Sequence, residues 1–424
     1  MSSKHLGFGL ISFGLFFASH VAIANASDDG SAGSTAVSSA QVAAPPPTVL
    51  PSQGTASGGN DHKRPFTITA TLREEYDSNI FTATTGEQSS LKTIVSPSIL
   101  VDVPMEDTDL SARYTFGLTY YSNRAGGSLD LSHNFVAQFR HSFSERFSLS
   151  LAEQFTYSTE PSLFDSSTTL YRNGAYYQNT INAEFDGQWT PLFSTTTTYS
   201  NALLRYEDGT QSTEQNSDEN TGSQNFAFAL QPKINLVFGA IIDDLSYDYI
   251  SRGYTSYTGN FGVDWQALPS LSLGARVGGS ITDTVGSGGS TTSPYAAASV
   301  HWQLGSRSAF AFNYVHEVVP TDVITADGQI ADRFTASLHY DILPTLTVHG
   351  ALAFTHGDYT DGLIVPGAVS NYTENDLALE TGLDYHVNSY LDLEAGYIFS
   401  DVSSDLSFRD YTRHQIYIGV RGTY

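Results

Sequence analysis

From Pro65 to Tyr424, apolar residues recur at every second position in segment after segment. Side chains alternate across a β-strand, so each segment has one apolar and one polar face. The first sets Phe66, Ile68, Ala70, Leu72 and Tyr76 against Thr67, Thr69, Thr71, Arg73 and Glu75. Others repeat the pattern, as in Leu110/Ala112/Tyr114/Phe116, Leu377/Leu379/Leu383/Tyr385 and Leu391/Leu393/Tyr397/Phe399. About eighteen such strands start near 66, 91, 109, 129, 147, 176, 193, 224, 234, 254, 271, 293, 308, 331, 346, 372, 391 and 413. The registers near 193–206 and 234–250 are the least clean.

The connections alternate too. Short turns fall at 142–146, 190–193, 231–234, 267–271, 305–308, 343–346 and 387–391, four of them holding Pro191, Pro232, Pro269 and Pro344. Longer polar links lie between them at 158–175, 207–223, 283–293, 318–330, 357–371 and 401–412, with a short exception near 251–253. Tight turns on one side, long loops on the other and ~10-residue two-faced strands are the pattern of a transmembrane β-barrel. The expected fold is all-β: an antiparallel up-and-down barrel of about 18 strands (16–18), with short periplasmic turns and longer extracellular loops. A propeller would repeat a motif every ~40 residues, and the chain has no such repeat. Tyr120-Tyr121, Tyr176-Tyr177, Tyr247, Tyr249, Tyr254, Tyr257, Trp189, Trp265 and Trp302 fall near strand ends, as interfacial girdles do. In the last strand, Ile416, Ile418, Val420 and Tyr424 share one face and Arg413, Gln415, Tyr417 and Arg421 the other. Its edge is bare unless it pairs with the first strand, 66–76, which closes the barrel.

Residues 1–26 read as a secretory signal: Lys4, the apolar run LGFGLISFGLFF and the cleavage site Ala24-Asn25-Ala26. Residues 27–64 are rich in Ser, Gly, Ala and Pro without periodicity, the composition of a disordered periplasmic linker. Residues 65–424 form the barrel. Cysteine is absent, so stability comes from strand pairing rather than disulfides. The formal charge of −25 becomes −26 once the signal, with one Lys and no acid, is removed. That argues against nucleic acid as a partner, because phosphate binding needs Lys and Arg.

The opening TLREEYDSNIF, with Tyr76-Asp77-Ser78-Asn79-Ile80, resembles the start of outer-membrane barrels grouped as "putative β-barrel porin type 2". Strand–Pro turn–strand units such as FALQPKINLVFGA are similar to that family as well. The resemblance spans roughly 65–424 and implies a Gram-negative-type outer membrane, with its lipid and lipopolysaccharide as surroundings. The aromatic last strand resembles the recognition signal read by the barrel-assembly machinery. This makes Ile416, Ile418, Val420 and Tyr424 the expected assembly signal.

A barrel of ~18 strands is wide enough for an aqueous channel, so charges facing the lumen carry the function. Alternation places Arg73, Arg113, Arg140, Arg276, Arg333, Arg413 and Arg421 there. It also places Glu75, Glu184, Asp186, Asp264, Asp341, Glu380, Asp384, Asp392 and Glu394 there. Acids outnumber arginines, which favours small cations mildly. The link 160–177 follows the fifth strand, where large diffusion porins fold a loop inward, so Glu160, Asp165 and Arg172 are candidates for a constriction. Catalysis is not expected. Asp384 and His386 share a face beside a periplasmic turn, and Ser132 and His133 lie on opposite faces. No metal-ligand spacing such as HExxH occurs, and no cofactor is called for. The reading is an outer-membrane porin passing small solutes or ions passively or with weak selectivity. The alternative is an accessory barrel for exopolysaccharide export or surface attachment.

Overall fold

The computed structural model describes residues 65–125, 127–160, 174–207, 209–248, 251–286, 288–359, 363 and 372–424. The expected signal peptide (1–26) and linker (27–64) lie outside them, as do Tyr249, Asp165 and Arg172. Eighteen antiparallel strands form one sheet. They run β1 (Phe66–Asp77), β2 (Ser90–Pro104), β3 (Thr108–Tyr121), β4 (Leu129–Ser144), β5 (Phe147–Ser158) and β6 (Tyr176–Thr190). Next come β7 (Phe193–Tyr206), a short helix α1 (Gly209–Gln215), β8 (Ser217–Gln231), β9 (Ile234–Tyr247), β10 (Gly253–Leu268), β11 (Leu271–Thr284) and β12 (Ser290–Gln303). The series ends with β13 (Ala309–Val319), β14 (Gln329–Leu343), β15 (Leu346–Tyr359), β16 (Tyr372–Asn388), β17 (Leu391–Ser404) and β18 (Tyr411–Thr423).

Each strand pairs with its sequence neighbour, and β1 pairs with β18 from Thr69↔Thr423 to Asp77↔Gln415. Tyr424 extends the seam, exchanging two backbone hydrogen bonds with Ile68 (2.8 and 2.9 Å). The barrel is therefore closed and has no edge. Strands ~4.8 Å apart and tilted ~40° close eighteen-fold at roughly 35 Å, backbone to backbone. Turns such as Gly187–Phe193 skip one residue of register, as between Gln188 and Thr190, which lets two-residue connections reverse the chain. An even strand count brings both barrel ends to the tight-turn side.

Alternation survives as two faces. Ile68, Leu72, Ile416, Ile418 and Tyr424 are exposed on the outer wall, while Glu75, Asp77, Arg413, Gln415 and Arg421 are buried on the inner one. One strand departs from expectation. β8 starts at Ser217 rather than near 224, because its first half, SDENTGS, offers no apolar face to read. It still ladders with β7 from Leu204↔Ser217 to Phe193↔Phe228.

The aromatic assignment needs correction. Tyr120, Tyr177, Tyr257, Trp189, Trp265 and Trp302 are exposed on the outer wall, whereas Tyr121, Tyr176, Tyr247 and Tyr254 are buried. Neighbours along a strand point to opposite sides, so Tyr120-Tyr121 and Tyr176-Tyr177 each supply the girdle only once.

Candidate functional site

The inner wall is lined by charge, most of it paired. At the long-loop end of β1, β2 and β18, Asp77 is fully buried between Arg413 (2.5 Å) and Lys92 (3.0 Å). Lys92 also meets Glu75 at 2.6 Å, and Gln415 donates to Glu75 at 2.8 Å. Glu160, just beyond β5, joins this group. Its carboxylate lies 3.2 Å from Lys92 and 3.3 Å from Arg413, and it accepts the Tyr121 hydroxyl. Burial alone would push Glu160 upward in pKa, but the Lys92 and Arg413 charges outweigh it and hold the carboxyl well below its usual range. Glu160 thus reaches from the end of β5 to strands three (β2) and five (β18) places away round the wall.

The second group is the β13–β14 link, 320–328. Thr321, Asp322, Val323, Ala326 and Asp327 are all buried, unlike an ordinary solvated loop. The other long links hold it. The Gln215 amide of α1 donates to the Asp322 carbonyl (2.6 Å), and Arg252 donates to the Val323 carbonyl (2.7 Å). Arg409, between β17 and β18, binds Asp322 at 2.7 Å and Glu374 at 2.6 Å. Burial works against the Arg409 charge, but Asp322 and Glu374 outweigh it and raise its pKa. Asp327 accepts from the amides of Gly253 (3.0 Å) and Gly286 (2.9 Å). Gly253 has φ +131°, and a Cβ there would meet the Leu245 carbonyl oxygen at 2.2 Å, so glycine is required. Val323 and Ala326 pack on Tyr359 and Tyr372. Partners after β7, β9, β11 and β17 span more than half the circumference, so this link crosses the mouth toward the barrel axis.

Deeper in, Glu394 bridges Arg73 (2.9 Å) and Arg421 (2.8 Å), and Asp384 lies 3.0 Å from Arg421 and 3.1 Å from His349. Arg73 also stacks 3.8 Å over the Tyr417 ring. On the far wall Arg276 pairs with Asp264 (2.7 Å) and Arg333 with Glu317 (2.6 Å). Thr196 donates to Asp186 and Thr347 to Asp341. Among the described residues, Arg113, Arg140, Glu184, Asp186 and Glu380 make no ion pair. Asp384 and His386, which share a face, each have other partners: Asp384 lies 3.0 Å from Arg421 and His386 sits 2.6 Å from Asp392, while His133 contacts Tyr114 on the outer wall.

Sequence reasoning missed Lys92, Asp77, Tyr121, Arg252, Asp322 and Arg409. For Asp322 a signal existed: its link reads VVPTDVITADGQI, too apolar for a solvated loop.

A closed eighteen-strand wall, apolar outside and charged inside, defines an outer-membrane porin-like β-barrel. The chain belongs to the family described as "Putative beta-barrel porin 2", whose model matches residues 66–424. Among solved structures it is similar to OccK2 (OpdF) of Pseudomonas aeruginosa, at 11% identity and TM-score 0.46, covering 84% of this chain and 98% of that one. It is also similar to OpdK of the same organism, at 13% identity and TM-score 0.44 over 85% and 99%. Acinetobacter baumannii OccAB4 matches at 9% identity and TM-score 0.43 over 86% and 100%. No curated protein matches the sequence.

Proposed function

We propose that the barrel passes small hydrophilic solutes and ions by diffusion, with a weak preference for cations. The observation that carries this is the charged inner wall of a closed barrel far wider than side chains can fill. Arg73, Glu75, Arg113, Arg140, Glu184, Asp186, Asp264, Arg276, Arg333, Asp341, Glu380, Asp384, Arg413 and Arg421 are read as its pore lining. The unpaired Glu184, Asp186 and Glu380 supply the cation preference. Glu160 narrows the mouth from the β5 side, and the 320–328 link narrows it from the other. The ionisable groups pair with one another rather than assembling a nucleophile and base, so the chain is read as a channel and not an enzyme. Nothing in the family or the fold favours polysaccharide export or surface attachment.

The finer placement follows from the same reading. Residues 1–26 direct export, and 27–64 form a periplasmic linker on the tight-turn side. The girdle contacts outer-membrane lipid and lipopolysaccharide, and the outward Ile416, Ile418, Val420 and Tyr424 are offered to the barrel-assembly machinery. The test is planar-bilayer conductance of the refolded 27–424 chain. Stable ohmic steps with a reversal potential on the cation side are expected; a folded barrel that never conducts defeats the proposal.

A further inference from the structure

Small polar side chains line the lumen on both sides, but they are spent differently. On β11–β12 the Ser280 and Ser293 hydroxyls bond each other at 2.7 Å, and Thr282 donates to Ser256 of β10 at 3.0 Å. On β5–β7 they are left open. Tyr177 and Tyr199 face out, so Gln178, Thr180 and Asn182 of β6 and Ser200 of β7 face in. Register sets Gln154 of β5 beside Thr180, and Asn182 beside Ser200. Each of the five is partly exposed, and none hydrogen-bonds to a described residue. The open set has borders. On the β4 side Asn134 donates to Thr156 at 3.1 Å, toward the tight turns Thr196 donates to Asp186 at 2.7 Å, and on the β8 side Thr198 bonds Ser223 at 2.6 Å. Between them lies a patch about 10 Å wide and ~13 Å long, from two strand spacings and four residue rises. Val136 and Ala202 sit in it as low apolar spots, level with Gln154 and Thr180. The unpaired charges at its border oppose one another, Arg113 and Arg140 on β3–β4 against Glu184 on β6.

We infer that the β5–β7 inner wall, centred on Gln154, Thr180, Asn182 and Ser200, binds neutral polyhydroxylated solutes, sugars and polyols, within the barrel. A sugar hydroxyl both donates and accepts, and so do side-chain amides and hydroxyls, which makes the patch complementary without any charge. Val136 and Ala202 take the C–H face of a sugar ring. An ion is better served by the charged walls elsewhere in the lumen. Each bond to the solute replaces one to water, so binding is weak, roughly millimolar. A path that must also release its cargo requires no more. The inference rests on the barrel being a channel for small solutes, and it names the class that this wall favours.

The test is titration of the barrel, purified from outer membranes into an amine-oxide detergent that carries no sugar, with sucrose and with sorbitol. Binding is read by saturation-transfer NMR, which needs no ion current. Saturable signals are expected for both. Gln154→Leu with Asn182→Leu, close in size and checked as folded by heat-shifted gel mobility, should raise the half-saturating sucrose concentration about fivefold or more. Ser280→Ala with Ser293→Ala, on the wall whose hydroxyls already bond each other, should match wild type. No saturable sucrose signal, an unchanged half-saturation in the Leu variant, or stronger competition by gluconate or choline than by sorbitol overturns the inference. A barrel that binds sucrose but never conducts defeats the channel reading and leaves the sugar site standing. One that conducts without binding sucrose does the reverse.

Discussion

Asp322 and Arg409 are 87 residues apart in the chain and 2.7 Å apart at the barrel mouth. Both are buried, and Arg409 is shared with Glu374. The contact fastens the inward β13–β14 link to the loop just before the closing strand. It is the charged tie among those that hold the link in the mouth, beside Gln215, Arg252 and the amides of Gly253 and Gly286.

Arg409→Ala should therefore widen the mouth. Removing one partner from a buried ion pair costs about 3–5 kcal/mol, because the remaining acids lose their compensation. Here the cheapest relaxation is to release 320–328 into solvent, where Asp322 can hydrate, so the global loss should be smaller. Single-channel conductance should rise, and Arg409→Lys, which keeps charge but not the two-acid fork, should fall between. Equal conductance in all three would show that the link does not limit flow.

Glu160 offers a pH test. Its folded-state pKa is depressed below the ordinary ~4.3, so its stabilising contribution is fully present above that value. The contribution is lost as pH falls through the ordinary value toward the depressed one. Glu160→Gln should lower thermal stability by about 1 kcal/mol at pH 7 and equally at pH 5.5. The gap from wild type should close only below about pH 4. A gap that closes between pH 7 and 5.5 would mean that Lys92 and Arg413 do not hold the carboxylate.

Much of the wall was legible because a barrel turns every strand into the same two-faced pattern, and turns such as Thr190–Phe193 and Leu343–Leu346 break it cleanly. The start of β8 was not legible, since SDENTGS has no apolar face to alternate. Register puts Asp218, Asn220 and Gly222 on the outward side there, where other strands carry apolar residues. Adjacent tyrosines at strand ends were assigned together although the pleat separates them, as with Tyr120 and Tyr121. The lumenal arginines were placed by parity alone. Their partners were not, because Arg413–Asp77 and Arg73–Glu394 join opposite ends of the chain across the β1–β18 seam. The inward 320–328 link depends on four other loops, those after β7, β9, β11 and β17, which no local pattern encodes.

Selectivity should follow the unpaired charges rather than the paired ones. In a water-filled lumen a unit charge ~8 Å from a passing ion contributes about 0.5 kcal/mol, roughly a twofold change in relative permeability. Glu184→Gln with Asp186→Asn should move the reversal potential in a salt gradient toward anions, and Arg113→Gln should move it toward cations. Neutralising Asp264 together with Arg276 removes no net charge and should leave it unchanged. A shift from the paired change but none from Glu184 and Asp186 would contradict the proposed lining.

Closure of the barrel supplies the last expectation. β18 contributes the whole ladder to β1 and, through Arg413 and Arg421, the cations that neutralise Asp77, Asp384 and Glu394. Deleting 411–424 would expose the edges of β1 and β17 and take one cation from each of three buried acids, a loss no local relaxation can absorb. The truncated chain should not reach a heat-shifted, folded form and should accumulate in the periplasm. Tyr424→Ala separates pairing from recognition. The two hydrogen bonds to Ile68 come from the Tyr424 backbone and persist, so the refolded barrel should keep its stability in detergent. If the exposed ring is what the assembly machinery reads, delivery to the outer membrane in cells should slow while refolding in vitro stays normal. A truncated chain that still runs as a folded barrel would show that the β1–β18 seam is dispensable.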